Sequence, residues 1–165
     1  MRMIAAVSRD WGIGRKGELL YSLPGDRKHF KALTMGCAVV MGRATWDSLP
    51  GPAPLPGRKN YVLTRSSAFH PEGVTVLHGL EKLAQVEEDA WVIGGASLYA
   101  ALLPCCSEAE LTFVEAVRPA DRFFPELTQF PEWTLVSESE AMREGGVSYT
   151  FRRYRNCDPK RLAAL

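Results

Sequence analysis

Residues 21–34 read YSLPGDRKHFKALT and hold one carboxylate, Asp26, among several bases. Pro24 suits a first helical turn, so the spacing predicts a helix from Gly25 to Thr34. Leu23, Phe30 and Leu33 lie three before, four after and seven after Asp26, which puts the acid on the apolar stripe of that helix. Arg27, Lys28 and Lys31 fall mostly off the stripe. Two readings follow from this stretch. Asp26 either complements the helix dipole in the first turn, or it stands in an apolar cleft where burial raises its proton affinity and suits it to handling protons.

Anion chemistry is available at two other places. In VVMGRATW, residues 39–46, Gly42 ends an apolar run and Arg43, Ala44 and Thr45 open a helix, so backbone N–H groups, a hydroxyl and a guanidinium can converge on a phosphate. In WVIGGASLY, residues 91–99, Ile93 leads into the paired glycines Gly94 and Gly95, and Ala96, Ser97, Leu98 and Tyr99 open the next helix. Those glycines permit close approach of a ligand or a neighbouring backbone. Neither junction is a GxGxxG fingerprint, and each alone is also an ordinary strand-to-helix turn. Together they suggest a dinucleotide. A third run ends in Leu63, Thr64 and Arg65, and an added arginine at that edge suits a 2′-phosphate, which favours NADP over NAD.

Apolar and β-rich runs at 3–8, 38–42, 60–64, 74–77, 91–94, 111–116, 134–138 and 147–154 make a sheet of eight strands. The first few are continuously apolar, as strands covered on both faces are, and helical segments at 25–34, after Gly42, at 80–87 and at 97–103 separate them. That alternation gives an α/β fold with three layers and a mostly parallel sheet. The last run alternates more openly and forms an antiparallel edge strand at the C-terminal end. Ligands of such a sheet collect beyond the carboxyl ends of the parallel strands, where all three candidate junctions fall.

The chain has 165 residues, 46% of them hydrophobic and 24% charged, the balance of one globular domain. Its net charge of +1 offers no basic stripe for nucleic acid or an anionic membrane. The N-terminal apolar run, residues 4–7, is far too short for a signal segment or membrane span, so a cytoplasmic protein is expected. Cys37, Cys105, Cys106 and Cys157 form no CxxC pair and no metal spacing, which leaves reduced thiols and no metal site. Residues 50–59 are a Pro/Gly loop, and residues 157–165 read as a frayed tail with at most a partial helical turn.

The chain resembles the bacterial dihydrofolate reductase family. The opening IAAVSRDWGIG, then YSLPGDRKHFKALT, VVMGRATWDSLP, LPGRKNYVLT, WVIGGASLY and LTFVEAVRPADRFFPE, occur in that family's order and spacing from about Met3 to Tyr154. The resemblance implies one reductase-like domain, residues 1–156, acting as a monomer on dihydrofolate and open to antifolates. The implied reaction takes 7,8-dihydrofolate to tetrahydrofolate with NADPH, hydride going to C6 and a proton to N5, in support of one-carbon and thymidylate metabolism.

The same resemblance implies roles residue by residue. Asp26 matches the family's acid in the pterin pocket, Thr112 the hydroxyl that bonds it, and Tyr21 the position of an active-site aromatic. Ile4, Ala5, Ala6, Phe30 and Ile93 match the pocket lining. Leu49 and Leu55 match residues at the aminobenzoyl ring, and Arg58 the arginine that grips the glutamate α-carboxylate. Ala6, Ile13, Gly14 and Leu19 match the nicotinamide side, with the latter three on the loop that closes over it. Gly42, Arg43, Ala44, Thr45, Leu63, Thr64 and Arg65 match the rest of the cofactor site, together with Ile93 and residues 94–99. The chain departs from the family pattern at Leu20 and Tyr21, where Pro-Trp is usual, at Ala44, where a base is frequent, and at Arg27, which is commonly apolar. Arg27 is either a second partner for the substrate tail or a solvated helix charge. The NADPH-dependent reductase of riboflavin synthesis is a rival on the same fold, and a protein that binds NADPH without catalysis is a rival of another class.

Overall fold

The structure is a computed structural model that describes residues 1–164. Its elements run β1 (Arg2–Ser8), β2 (Gly12–Arg15), β3 (Glu18–Leu19), α1 (Pro24–Thr34), β4 (Ala38–Gly42), α2 (Arg43–Ser48), β5 (Lys59–Leu63), β6 (Val74–Leu77), β7 (Trp91–Gly94), α3 (Ala96–Leu102), β8 (Glu108–Val114), β9 (Arg122–Phe123), β10 (Trp133–Glu138), β11 (Met142–Glu144) and β12 (Val147–Asn156). The main sheet has the order β10-β12-β8-β1-β7-β4-β5-β6, with β11 paired to β12 alongside. All eight strands expected from the apolar runs are present, and the pairs from β8 through β1, β7, β4 and β5 to β6 are parallel. β12 is antiparallel to both β8 and β10 and lies one place in from the rim, because β10 hydrogen-bonds along its outer flank.

Strand alternation splits the core between the two faces of the sheet. On β4, Ala38 and Val40 pack with Tyr61, Val92, Leu98 and Leu102 on the α3 side, whereas Val39 and Met41 pack with Val62, Trp46 and Trp91 on the side of α1 and α2. Val39, Val40 and Met41 are fully buried, each worth about 1.5–3 kcal/mol of removed apolar surface. Continuous apolarity in β4 thus reflects two covered faces rather than one.

β8 follows the same rule with a different outcome. Ala109, Leu111 and Phe113 join the α3-side core, while Glu110 and Thr112 face α1 and are buried polar residues. Both find partners. Glu110 Oε1 lies 3.2 Å from His29 Nε2 on α1, and Arg153 Nε on β12 donates to Glu110 Oε2 at 3.0 Å. Burial alone would push the Glu110 carboxyl up, but the bonds from His29 and Arg153 outweigh it and hold the group below its ordinary 4.5. A carboxylate depressed in the folded state stabilises above its unfolded pKa and stops doing so as pH falls through the folded value. Glu110→Gln should therefore cost about 2 kcal/mol at pH 7, less than a fully buried pair would, because Arg153 is half exposed. Urea unfolding should show that gap shrinking as pH falls below the group's ordinary 4.5.

Three departures from the sequence reading have local causes. The 80–87 segment is a 3₁₀ run, Leu80–Gln85, which Leu80 and Leu83 suit because residues three apart eclipse in that helix and Leu83 is buried. The segment carrying Ile13, Gly14 and Leu19, expected as a loop, lies in a second, three-stranded sheet of order β3-β2-β9. Its anchor is Trp11, buried against Phe113, Phe124 and Tyr154, whose carbonyl accepts from Phe124 N–H at 2.8 Å. The tail docks rather than frays: Lys160 N–H donates to Pro104 O at 2.8 Å and Leu162 packs against the α3-side core. A short 3₁₀ turn, Leu162–Ala164, follows; residue 165 lies outside the described residues.

Candidate active site

α1 brings Asp26 to the sheet because its first turn is stapled there. Pro24 opens the helix, and Leu23, the residue before it, is buried with Tyr21, Val114 and Tyr149. Thr34 Oγ1 donates back to Phe30 O at 2.8 Å at the other end, where Gly36 at φ +78 turns the chain away. Asp26 is half-buried, and Thr112 Oγ1 donates to its Oδ1 at 2.6 Å across from β8. Desolvation dominates and raises the Asp26 pKa above its ordinary 3.8, against the lowering influence of Thr112, His29 and Arg27; Glu144 adds to the rise.

The wall beside Asp26 is apolar and incompletely covered. Ile4, Phe30, Leu49, Leu55 and Ile93 belong to one packed cluster, and all but Ile4 are only partly buried. Ala5 and Ala6 on β1 are half-buried, Ala5 against the α3-side core. Tyr99 is buried, and its O–H donates to Ile4 O at 2.6 Å, fixing the β1 backbone next to this wall. Tyr21 is buried as well: its hydroxyl shares a 2.9 Å hydrogen bond with Ser8 Oγ, and the Arg118 guanidinium lies 4.3 Å over its ring while donating to Leu20 O.

Arg58 sits at the far end of the same face. Asn60, 2% exposed, fixes its loop with three bonds, accepting from Leu55 N–H and donating to Leu55 O and Arg58 O. The guanidinium donates to Pro56 O at 3.0 Å and Thr34 Oγ1 at 3.1 Å, and burial lowers its pKa. Among the described residues it has no carboxylate partner. Arg27, by contrast, is exposed and donates to Ser22 Oγ at 2.6 Å.

The two glycine junctions meet because β4 and β7 are neighbours, with Met41 opposite Gly94. A Cβ on Gly94 would come within 3.0 Å of Thr45 Oγ1, one on Gly95 within 3.6 Å of it, and one on Gly42 within 3.8 Å of Gly95 N. Gly94 also holds φ +134, open to glycine almost alone. Neither helix has a side-chain cap at its start, so backbone donors of Thr45, Ala96 and Ser97 stand around a cradle that any side chain would fill. That donor set fits a pyrophosphate. Arg43 is held by Asp47 at 3.1 Å and lies 4.1 Å over Phe69, and Ala44 beside it is exposed. Leu98 is in the core, so only its backbone faces the junction.

A cavity of about 370 Å³ continues this edge, lined by Leu63, Thr64, Arg65, His78, Gly79 and Leu80. His78 was not singled out from the sequence, although it follows the apolar run of β6 and so falls on the same sheet edge; its Nδ1 lies 3.0 Å from Thr64 O. Ile13 is buried in the core, whereas Leu19 is 77% exposed on β3. Among the described residues no cluster has the makings of a metal site, and no helix is long and apolar enough to cross a membrane.

An open parallel sheet with a half-buried acid beside an apolar wall, and a glycine-lined carboxyl edge whose donors fit a dinucleotide, fits the class of α/β pyridine-nucleotide oxidoreductases. A family profile described as dihydrofolate reductase matches residues 1–156. Dihydrofolate reductase of Mycobacterium tuberculosis is 46% identical over 120 residues, 72% of this chain and 74% of that protein. That of Neisseria gonorrhoeae is 35% identical over 156 residues, 92% and 95% of the two chains. A structure of dihydrofolate reductase from Enterococcus faecalis complexed with NADP(H) and RAB-propyl superimposes with TM-score 0.83 at 30% identity, covering 95% of this chain and 96% of that one. The chain belongs to the dihydrofolate reductase family, a family of NADPH-dependent enzymes.

Proposed function

We propose that this chain reduces 7,8-dihydrofolate to tetrahydrofolate with NADPH, and that Asp26 holds the pterin and helps N5 acquire its proton. The observation that carries this reading is the Asp26–Thr112 bond at the mouth of a partly covered apolar wall. NADPH, when bound, supplies the hydride that goes to C6. Asp26 accepts hydrogen bonds from the pterin's amino group and ring nitrogen, and its raised proton affinity lets it favour a protonated ring for that step. Thr112 orients the carboxylate. Phe30, Leu49, Leu55 and Ile93 exclude water from the rings, and Arg58 binds the glutamate α-carboxylate with a planar fork that lysine lacks. Thr45 and residues 94–97 hold the pyrophosphate, with Arg43, Thr64 and Arg65 toward the adenosine. Ile13, Gly14 and Leu19 belong to the segment beside the nicotinamide, and Tyr21 stiffens its end through Ser8.

The acid and the unpaired Arg58 argue against the riboflavin-type rival, whose substrate has neither pterin nor glutamate tail. Residues 1–156 form the working domain, which acts as a monomer because every group invoked comes from one chain; it works in the cytoplasm, with antifolates as competitors for the pterin pocket. NADPH oxidation followed by absorbance, with and without dihydrofolate, tests the whole reading. Oxidation that depends on dihydrofolate supports it; tight NADPH binding with no oxidation moves the protein to a binding role. Arg65→Gln should weaken NADPH about tenfold and leave NADH unchanged, a loss on the scale of one charge-assisted bond. Equal effects on the two nucleotides would remove Arg65 from the 2′-phosphate.

A further inference from the structure

The start of α1 is held by a side chain from the other end of the sequence. Leu23 stands at the N-cap position, where its carbonyl accepts from Arg27 N–H at 3.0 Å but its side chain can accept nothing, so the earlier donors of the first turn have no local cap. Glu144, half-buried at the end of β11, accepts from Gly25 N–H at 2.7 Å with its Oε1. The same oxygen accepts from the Tyr149 hydroxyl of β12 at 3.0 Å. Gly25 has to be glycine for this approach, since a side chain there would collide with the Tyr149 hydroxyl. The residue so anchored immediately precedes Asp26.

We propose that Glu144 is a positioning residue for Asp26: it caps the helix turn that carries the acid and sets a second negative charge beside it. The inference rests on Asp26 being the proton-handling group. The surroundings of Asp26 make Glu144 the one like charge among its influences. Arg27 and His29 come from α1, the Thr112 hydroxyl from β8, and the phenols of Tyr99 from α3 and Tyr149 from β12. Arg27 and His29 favour the carboxylate, as does Thr112, whereas Glu144 opposes it and so keeps a proton on Asp26 to higher pH. Capping and charge are separable, because glutamine keeps an acceptor oxygen and loses the charge.

The test compares the full-length protein with its Glu144→Gln and Glu144→Ala variants. Two readouts are followed: the pH profile of single-turnover hydride transfer, and the Asp26 carboxyl titration by ¹³C NMR, assigned with Asp26→Asn. Glu144→Gln should unfold near the wild-type temperature. Its Asp26 titration and its rate profile should both move to lower pH by about half a unit, so that the rate at pH 8 falls about threefold and the rate at pH 5 holds. Glu144→Ala should show the same move with a lower melting temperature, from loss of the cap. Wild-type titration and profile in Glu144→Gln would overturn the proposal. A moved titration in a protein that never reduces dihydrofolate would sustain the coupling and sink the proposed reaction instead.

Discussion

Replacing Asp26 by asparagine should slow single-turnover hydride transfer by about 100- to 10,000-fold at pH 7, and by less than about tenfold at pH 5. Asparagine is nearly isosteric and still accepts from Thr112, so the change removes the ionisable group and little else. At pH 5 dihydrofolate can take its proton from solvent, and the need for a protein acid fades. Equal losses at both pH values would refute the proton role and leave Asp26 a binding group. A stability measurement gives an independent check. A carboxyl whose pKa is raised in the folded state binds protons better folded than unfolded, so its ionised form destabilises the fold at any pH above the folded value. Asp26→Asn should accordingly melt at or above the wild-type temperature at pH 7, an outcome expected of an acid retained for chemistry rather than for the fold.

The second large effect concerns the substrate tail. Arg58→Leu should raise KM for dihydrofolate about 30- to 1,000-fold, corresponding to about 2–4 kcal/mol, with a much smaller change in kcat. The loss comes from one desolvated carboxylate left without its fork. The fold should tolerate the change, because Thr34 Oγ1 donates to Phe30 O without any help from Arg58, and Asn60 pins the loop through backbone groups. Pterins without the glutamate tail should lose nothing. Arg58→Lys discriminates further: it keeps the charge but should recover only part of the affinity. An equal penalty on tail-less pterins would show that Arg58 shapes the loop instead.

Legibility in the sequence follows the size of the physical signal. Strands β4 and β7 were readable because both faces are covered, so every position is apolar or glycine, and β5 reads the same way from Tyr61 to Leu63, past the polar Lys59 and Asn60. β2, β3 and β9 were not, since GIGR, EL and RF are too short and too polar to show a period, and their pairing is specified by Trp11 docking in the core. Asp26 stood out as an acid on an apolar stripe, a local conflict of the sort that functional sites create. Glu144 gave no such sign. It is one of several acids in a polar hairpin, and only the register of Glu144 opposite Val147 and Met142 opposite Tyr149 turns it toward Gly25. His78 was hidden for a similar reason, being exposed and alone after β6.

The bond partners of Asp26 and its helix lie far along the chain: Thr112 is 86 residues away, and Glu144 is 119 residues from Gly25. β1, at the centre of the sheet, pairs with β7 and β8 and waits for both. During synthesis at about 5–20 residues per second, the ribosome would therefore expose a helix with an uncapped start and a strand with two open edges for several seconds. Nascent chains arrested before β12 emerges hold every residue of the proposed cofactor cradle, yet they lack the hairpin that seats the acid. For this topology, the turn that carries the acid is seated only after the β11–β12 hairpin has left the ribosome.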